Sequence, residues 1–156
     1  MELLDRIKLI DDYKLPNHRI LSKGTIGTIR EIKESLISIQ INVPNMPIQV
    51  LIPSIIVEKC EIKDLATINY EDITPRIFHK GNFWSIRVGF DEYNNEIYKT
   101  GVITNYHLNA NENNDQITIH FLDDIYENKQ SGKAIEEHVY KKQYMELFAS
   151  YTTILN

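Results

Sequence analysis

Hydrophobic side chains recur at every second position through most of this chain, and that period leaves few folds open. In LISIQINV, residues 36–43, Ile37, Ile39, Ile41 and Val43 fall on one side and Ser38, Gln40 and Asn42 on the other. FWSIRVGF, residues 83–90, sets Trp84, Ile86, Val88 and Phe90 against Ser85, Arg87 and Gly89. Period two marks a strand buried on one face. Ile7 and Leu9, then IQVLI, IIVEKCEI, EIYKTGVITNYHL and QITIHFL, carry the pattern onward, with turns at Pro16-Asn17, PNMP and DEYNN. The apolar share is drawn mainly from Ile, Val, Tyr and Phe, which pack well on a pleated surface. The chain reads as mostly β.

Three stretches break the period. DLATINYEDITPR, residues 64–76, reads as a connector that parts residues 1–63 from residues 77–156. NANENND, residues 109–115, reads as a polar loop too hydrophilic for a core. Near the end, Tyr140, Tyr144, Leu147, Phe148, Tyr151, Ile154 and Leu155 recur at steps of three and four. That spacing predicts a C-terminal helix over about residues 141–154, with EEHVY before it readable as helix or as strand. GTIREI with ISIQI is echoed by GVITNY with ITIHF, so the second half reads as a possible degenerate repeat of the first.

KGTIGTIR, residues 23–30, places two glycines three positions apart. A phosphate cradle needs a helix after the glycines, and here TIREI continues as a strand. Glycine inside a strand pattern instead marks a bulge or a sharp bend. Asp5, Ile7, Leu9, Lys23, Gly24, Thr25, Gly27, Thr28, Ile29 and Pro53 together make an outline that resembles the small SH3-like barrels of the KOW type. The resemblance covers about residues 3–62. It implies a five-stranded barrel in the first 63 residues, bent at Gly24 and Gly27; the alternation and the helical spacing beyond residue 76 make residues 77–156 a second β-module with a C-terminal helix. Barrels of this kind bind RNA, peptides or proteins, and some bacterial immunity and antitoxin proteins look similar, so the resemblance specifies a fold more than a function.

Charge separates the two halves. Residues 1–70 hold nine basic and nine acidic side chains, and residues 71–156 hold eight basic and thirteen acidic, which accounts for the net charge of −5. A duplex-binding surface needs a basic excess, whereas an acidic surface suits a basic protein partner. No run is long and apolar enough for a membrane helix, and the start lacks a signal-peptide shape, so a cytoplasmic protein without a membrane partner is expected.

No nucleophile–base pair or ligand set can be read from the sequence. The five histidines, at 18, 79, 107, 120 and 138, form no HxH or HExxH pattern. If residues 97–108 pair with residues 116–122, His120 falls near Thr104. Cys60, the lone cysteine, reads as a small buried hydrophobe, and Trp84 as core. The expectation is therefore no enzyme, no cofactor and no metal. It is a non-enzymatic inhibitor of the immunity or antitoxin type that neutralises a basic effector such as a toxin nuclease. The alternative is a KOW-type nucleic-acid-binding module. Asp91, Glu92, Asp123 and Asp124 would steer the partner, the two aspartates of the latter pair ending a strand. Phe83, Tyr93 and Tyr126 would anchor it, with Tyr98 and Tyr106 adding to a tyrosine-rich surface.

Overall fold

The computed structural model describes residues 1–43 and 46–152, so Pro44 and Asn45 of the PNMP turn lie outside the described residues, as do Ile154 and Leu155. The protein is mostly β and divides into two compact units. The first comprises residues 1–76 together with residues 108–113, and the second comprises residues 77–107 and 114–156.

In the first unit, β1 (Arg6–Leu9), β2 (Tyr13–Lys14), β3 (Ile20–Leu21), β4 (Ile26–Lys33), β5 (Leu36–Val43), β6 (Met46–Pro53) and β7 (Val57–Lys59) follow in order. Five of them form one antiparallel sheet in the order β6-β5-β4-β1-β7, while β2 and β3 make a separate hairpin between β1 and β4. A single 3-10 turn at Ser54–Ile56 precedes β7. The alternating isoleucines do what their period requires: Ile37, Ile39 and Ile52 pack with Ile7, Leu9 and Ile29 in one cluster. Each is essentially removed from water, and burying such a side chain is worth roughly 1.5–3 kcal/mol. The connector is not structureless. It holds two single-turn helices, α1 (Ile62–Leu65), closed by a reciprocal Glu61–Asp64 capping box, and α2 (Tyr70–Ile73), capped by the Asn69 side chain.

The glycines of KGTIGTIR play different parts from the bend expected of them. Gly24 sits at φ +86° in a turn closed by the Thr25 N–H donating to the Ser22 carbonyl, a conformation that favours glycine. Gly27 has ordinary extended backbone within β4, opposite Ile7, and the bulge in this strand lies further on, between Ile29 and Glu31. Gly27 is required by proximity: a β-carbon there would stand 3.0 Å from Ile39 Cδ1 and 3.3 Å from the Gln40 carbonyl.

The Asn-rich loop corrects the sequence reading most sharply. Its residues 109–113, together with Leu108, belong to the first unit, and Glu112 is fully buried. The Arg6 N–H donates to the Ala110 carbonyl and the Glu112 N–H to that of Leu4. The buried Arg6 guanidinium reaches the Asn109 carbonyl at 3.0 Å, and Arg30 meets Glu112 Oε2 at 2.9 Å. Buried Asp5 accepts from the Glu2 N–H and pairs with Lys59 at 3.0 Å. Burial pushes the Asp5 carboxyl up, but those two partners outweigh it and hold it below the usual range. Glu112 of this hydrophilic segment is thus buried, the residues around it half-buried, because its charge and the backbone groups find partners.

Cys60 is buried beside this network, with its N–H donating to the Arg6 carbonyl. Burial pushes its thiol up to about 11, so the thiolate is scarce at neutral pH. Iodoacetamide at pH 8 is expected to label Cys60 only as the first unit opens, at a rate that rises with denaturant. Labelling as fast as a free thiol in the native protein would show the site to be open.

In the second unit, β8 (Phe83–Phe90), β9 (Glu96–His107), β10 (Gln116–Phe121), α3 (Leu122–Ser131), β11 (His138–Lys141), α4 (Lys142–Phe148) and β12 (Ala149–Thr152) follow in order. The sheet order is β11-β10-β9-β8-β12, and every pairing is antiparallel. Among the described residues neither five-stranded ladder closes on itself. EEHVY is therefore strand at its end. The C-terminal helix stops at Phe148, because Ala149–Thr152 pairs with Ile86–Phe83 and saves the backbone bonds of both segments. Trp84 is core, as expected: it stacks on Phe78 at 4.9 Å and donates Nε1–H to the Ile77 carbonyl.

Candidate functional site

The residues singled out from the sequence do not gather in one patch. Phe83 opens β8 and is half-buried, paired with Val102 and Thr152, whereas Asp91, Glu92 and Tyr93 follow the far end of the same strand. A strand of that length spans ~23 Å. Asp91 is occupied in the β8–β9 turn, where Oδ1 accepts from the N–H groups of Tyr93 and Asn95. The Asn95 N–H is the chief reason its carboxyl lies below the usual range. Glu92 and Tyr93 are exposed in that turn.

Asp123 and Asp124 do not end a strand; they form the first turn of α3, where carboxylates complement the helix dipole. Tyr126 is exposed on the same helix. Asp124 borders a small cleft of about 270 Å³ with Lys99, Phe121, Glu136, His138 and Tyr140. Its carboxylate is 3.7 Å from His138 Nε2, an ion pair only when the imidazole is protonated. His120 lies opposite Val102 rather than near Thr104, because a bulge between Thr118 and Ile119 shifts the register. Tyr106 is buried, its hydroxyl donating to Asp115 at 2.6 Å, so it adds nothing to the surface.

A different cluster comes together in the second unit. The β8–β9 register slips between Arg87 and Gly89, leaving Val88 as an extra residue. One inserted residue reverses which side chains face inward. Trp84 and Ile86 are accordingly buried, while Val88 and Phe90 are exposed, against the expectation that all four would share the core face. Phe90 joins Arg87 instead. The Arg87 guanidinium lies 5.1 Å from the Phe90 ring centre and 4.0 Å from that of Phe148 in α4. It also pairs with Glu96 at 3.2 Å, and Glu96 accepts from the Tyr98 hydroxyl at 2.6 Å.

The Tyr144 hydroxyl donates to the Arg87 carbonyl, fixing α4 over the strand, and its ring packs between Tyr140 and Phe148. Partial desolvation pulls the Arg87 guanidinium down, but Glu96 and Tyr144 outweigh it and raise it above its ordinary value. Glu96 is held below the ordinary carboxylate range, first by Tyr98 and then by Arg87. The polar tips are satisfied within the cluster, so its rings are presented as a rigid aromatic surface. Phe90 is 52% exposed and Tyr98 47%, and Leu147, next to Phe148 in the sequence of α4, is 65% exposed. The helical spacing of Tyr144, Leu147 and Phe148 flagged these residues as parts of a helix; the bulge that exposes Phe90 lies beside Gly89, a glycine inside a strand pattern, which strict alternation passed over.

Among the described residues no group of His, Cys, Asp and Glu is arranged to hold a metal ion. None of their helices is long and apolar enough to cross a membrane. Comparison with protein-family models, with curated proteins and with solved structures returned no match to this chain.

Proposed function

We propose that this chain is a non-enzymatic protein-binding module of two SH3-like units, the second a degenerate repeat of the first, that acts by covering a basic protein. The repeat is supported by the two sheet orders: in each unit the fourth, third, second, first and fifth main strands lie side by side in that sequence. In each, a short helical turn precedes the fifth strand. In each, a glycine of the second strand, Gly27 or Gly101, makes room for an isoleucine of the third, Ile39 or Ile119. The single observation that carries the binding role is the exposed aromatic surface around Arg87. Rings and an arginine, ordered before any partner arrives, are the groups that dominate protein interfaces. The acidic excess of residues 71–156 favours a basic partner, as in a toxin inhibitor of the immunity or antitoxin type.

Capture from a lysate of the source cells, with and without nuclease, tests this reading. A basic protein should be retained in stoichiometric amount after nuclease treatment, and the paired substitutions Phe90→Ser and Leu147→Ser should weaken its retention at least tenfold, since such anchors often carry 2 kcal/mol or more. Retention of nucleic acid alone, lost on nuclease treatment, would instead support the KOW-type alternative. Unchanged retention in the double variant would overturn the assignment of the surface.

A further inference from the structure

The first unit carries an open cleft of about 390 Å³, within the range of sites that take small ligands or single side chains. Its walls are Ile26 at the start of β4, Ile41 near the end of β5, Ile68 between the two connector helices, and Ile73 in α2. Ile26 and Ile73 also belong to a small core with Cys60 and Leu65, so the floor is fixed. One wall is tied to another by the Asn42 side chain, which donates to the Ile73 carbonyl at 2.7 Å. Gly24 forms part of the lip, and nothing stands within 4 Å of where its β-carbon would be. A peptide backbone can therefore approach there closely. The charged group at the rim is Asp72, which is exposed, and among the described residues no basic side chain lines the cleft.

We propose that this cleft receives one aliphatic side chain of a partner peptide, with a lysine or arginine next to it in the peptide pairing with Asp72. The four isoleucines supply an apolar socket and the rim supplies only negative charge, so a hydrophobic residue adjoining a cation is the complementary occupant. The proposal rests on the reading of the chain as a protein-binding module. Its residues are separate from those of the Arg87 surface, so the capture experiment with Phe90→Ser and Leu147→Ser can fail while the following one succeeds.

The test uses the full chain labelled at isoleucine δ1 methyl groups, titrated with N-acetyl-leucyl-lysinamide and with the corresponding leucyl-glutamate amide. The lysine probe should shift the methyls of Ile26, Ile41, Ile68 and Ile73 saturably, and bind about threefold or more tightly than the glutamate probe, the scale of one exposed charge pair. Asp72→Asn should bring the two affinities together, and Ile68→Gln should abolish the shifts with both probes. Absent or non-saturable shifts, equal binding of the two probes, or a charge preference that survives Asp72→Asn would overturn the proposal. So would methyl shifts on simple dilution, which would give the cleft to a second copy of the chain. n-Hexylamine binding more tightly than the lysine probe would give it to a free amine, and would equally overturn it.

Discussion

Replacing Gly101 with valine is expected to cost the second unit roughly 3–5 kcal/mol, at the upper end of single-site effects. A β-carbon at this position would collide with the γ-methyl of Ile119, while the His120 carbonyl and the Phe121 ring stand 3.3 Å away. Ile119 and Phe121 are both buried, so neither can swing aside into solvent. Gly101→Ala should show the same effect at reduced size, because it introduces the collision without the branches. Gly89 supplies the control: it lies in β8 with nothing within 4 Å of where its β-carbon would stand, so Gly89→Ala should change stability little. Trp84 pairs directly with Gly101 and is the sole tryptophan, so its fluorescence in a urea titration reports on the relevant unit. A Gly101→Val midpoint equal to that of the parent chain would show that β9 and β10 can separate at this point without loss.

Glu112→Ala should destabilise the first unit by about 3 kcal/mol, the scale of breaking one side of a buried ion pair. Its carboxylate is fully buried and meets Arg30 at 2.9 Å, and Arg30 itself keeps some access to water. Rehydration of Arg30 therefore limits the loss, and the double substitution Arg30→Met with Glu112→Leu should recover part of it. The Cys60 labelling rate is the appropriate measurement, because that thiol lies in the first unit and Trp84 in the second. Protection of Cys60 unchanged in Glu112→Ala would mean that the carboxylate contributes nothing to the unit's stability.

Local pattern carried the strands. The isoleucines of β5 and Ile117, Ile119 and Phe121 of β10 alternate in the sequence and are all buried, although Ser38 and Thr118 on the intervening positions are buried as well. What the sequence hid depends on partners distant along the chain. Ala149–Thr152 looks helical by spacing and becomes strand because β8 has a free edge to pair with. Glu112 looks like solvent-exposed loop and is core because Arg30, eighty-two positions earlier by subtraction, is waiting for it. The candidate surface was legible only as an excess of tyrosine. Phe90 was assigned inward by strict alternation, and one extra residue at Val88 turned it outward to stack with Arg87.

That residues 108–113 belong to the first unit, with Glu112 buried there, has a bearing on how the protein is made. A ribosome completes residues 1–76 well before it reaches Glu112, so the nascent first unit holds Arg6 and Arg30 before the Asn109 carbonyl and the Glu112 carboxylate that they meet have been made. The full set of contacts of that unit is available only once β8 and β9 of the second have been synthesised. The two units are therefore interleaved along the chain, and a fragment cut at residue 76 would lack the Asn109, Ala110 and Glu112 contacts of the first.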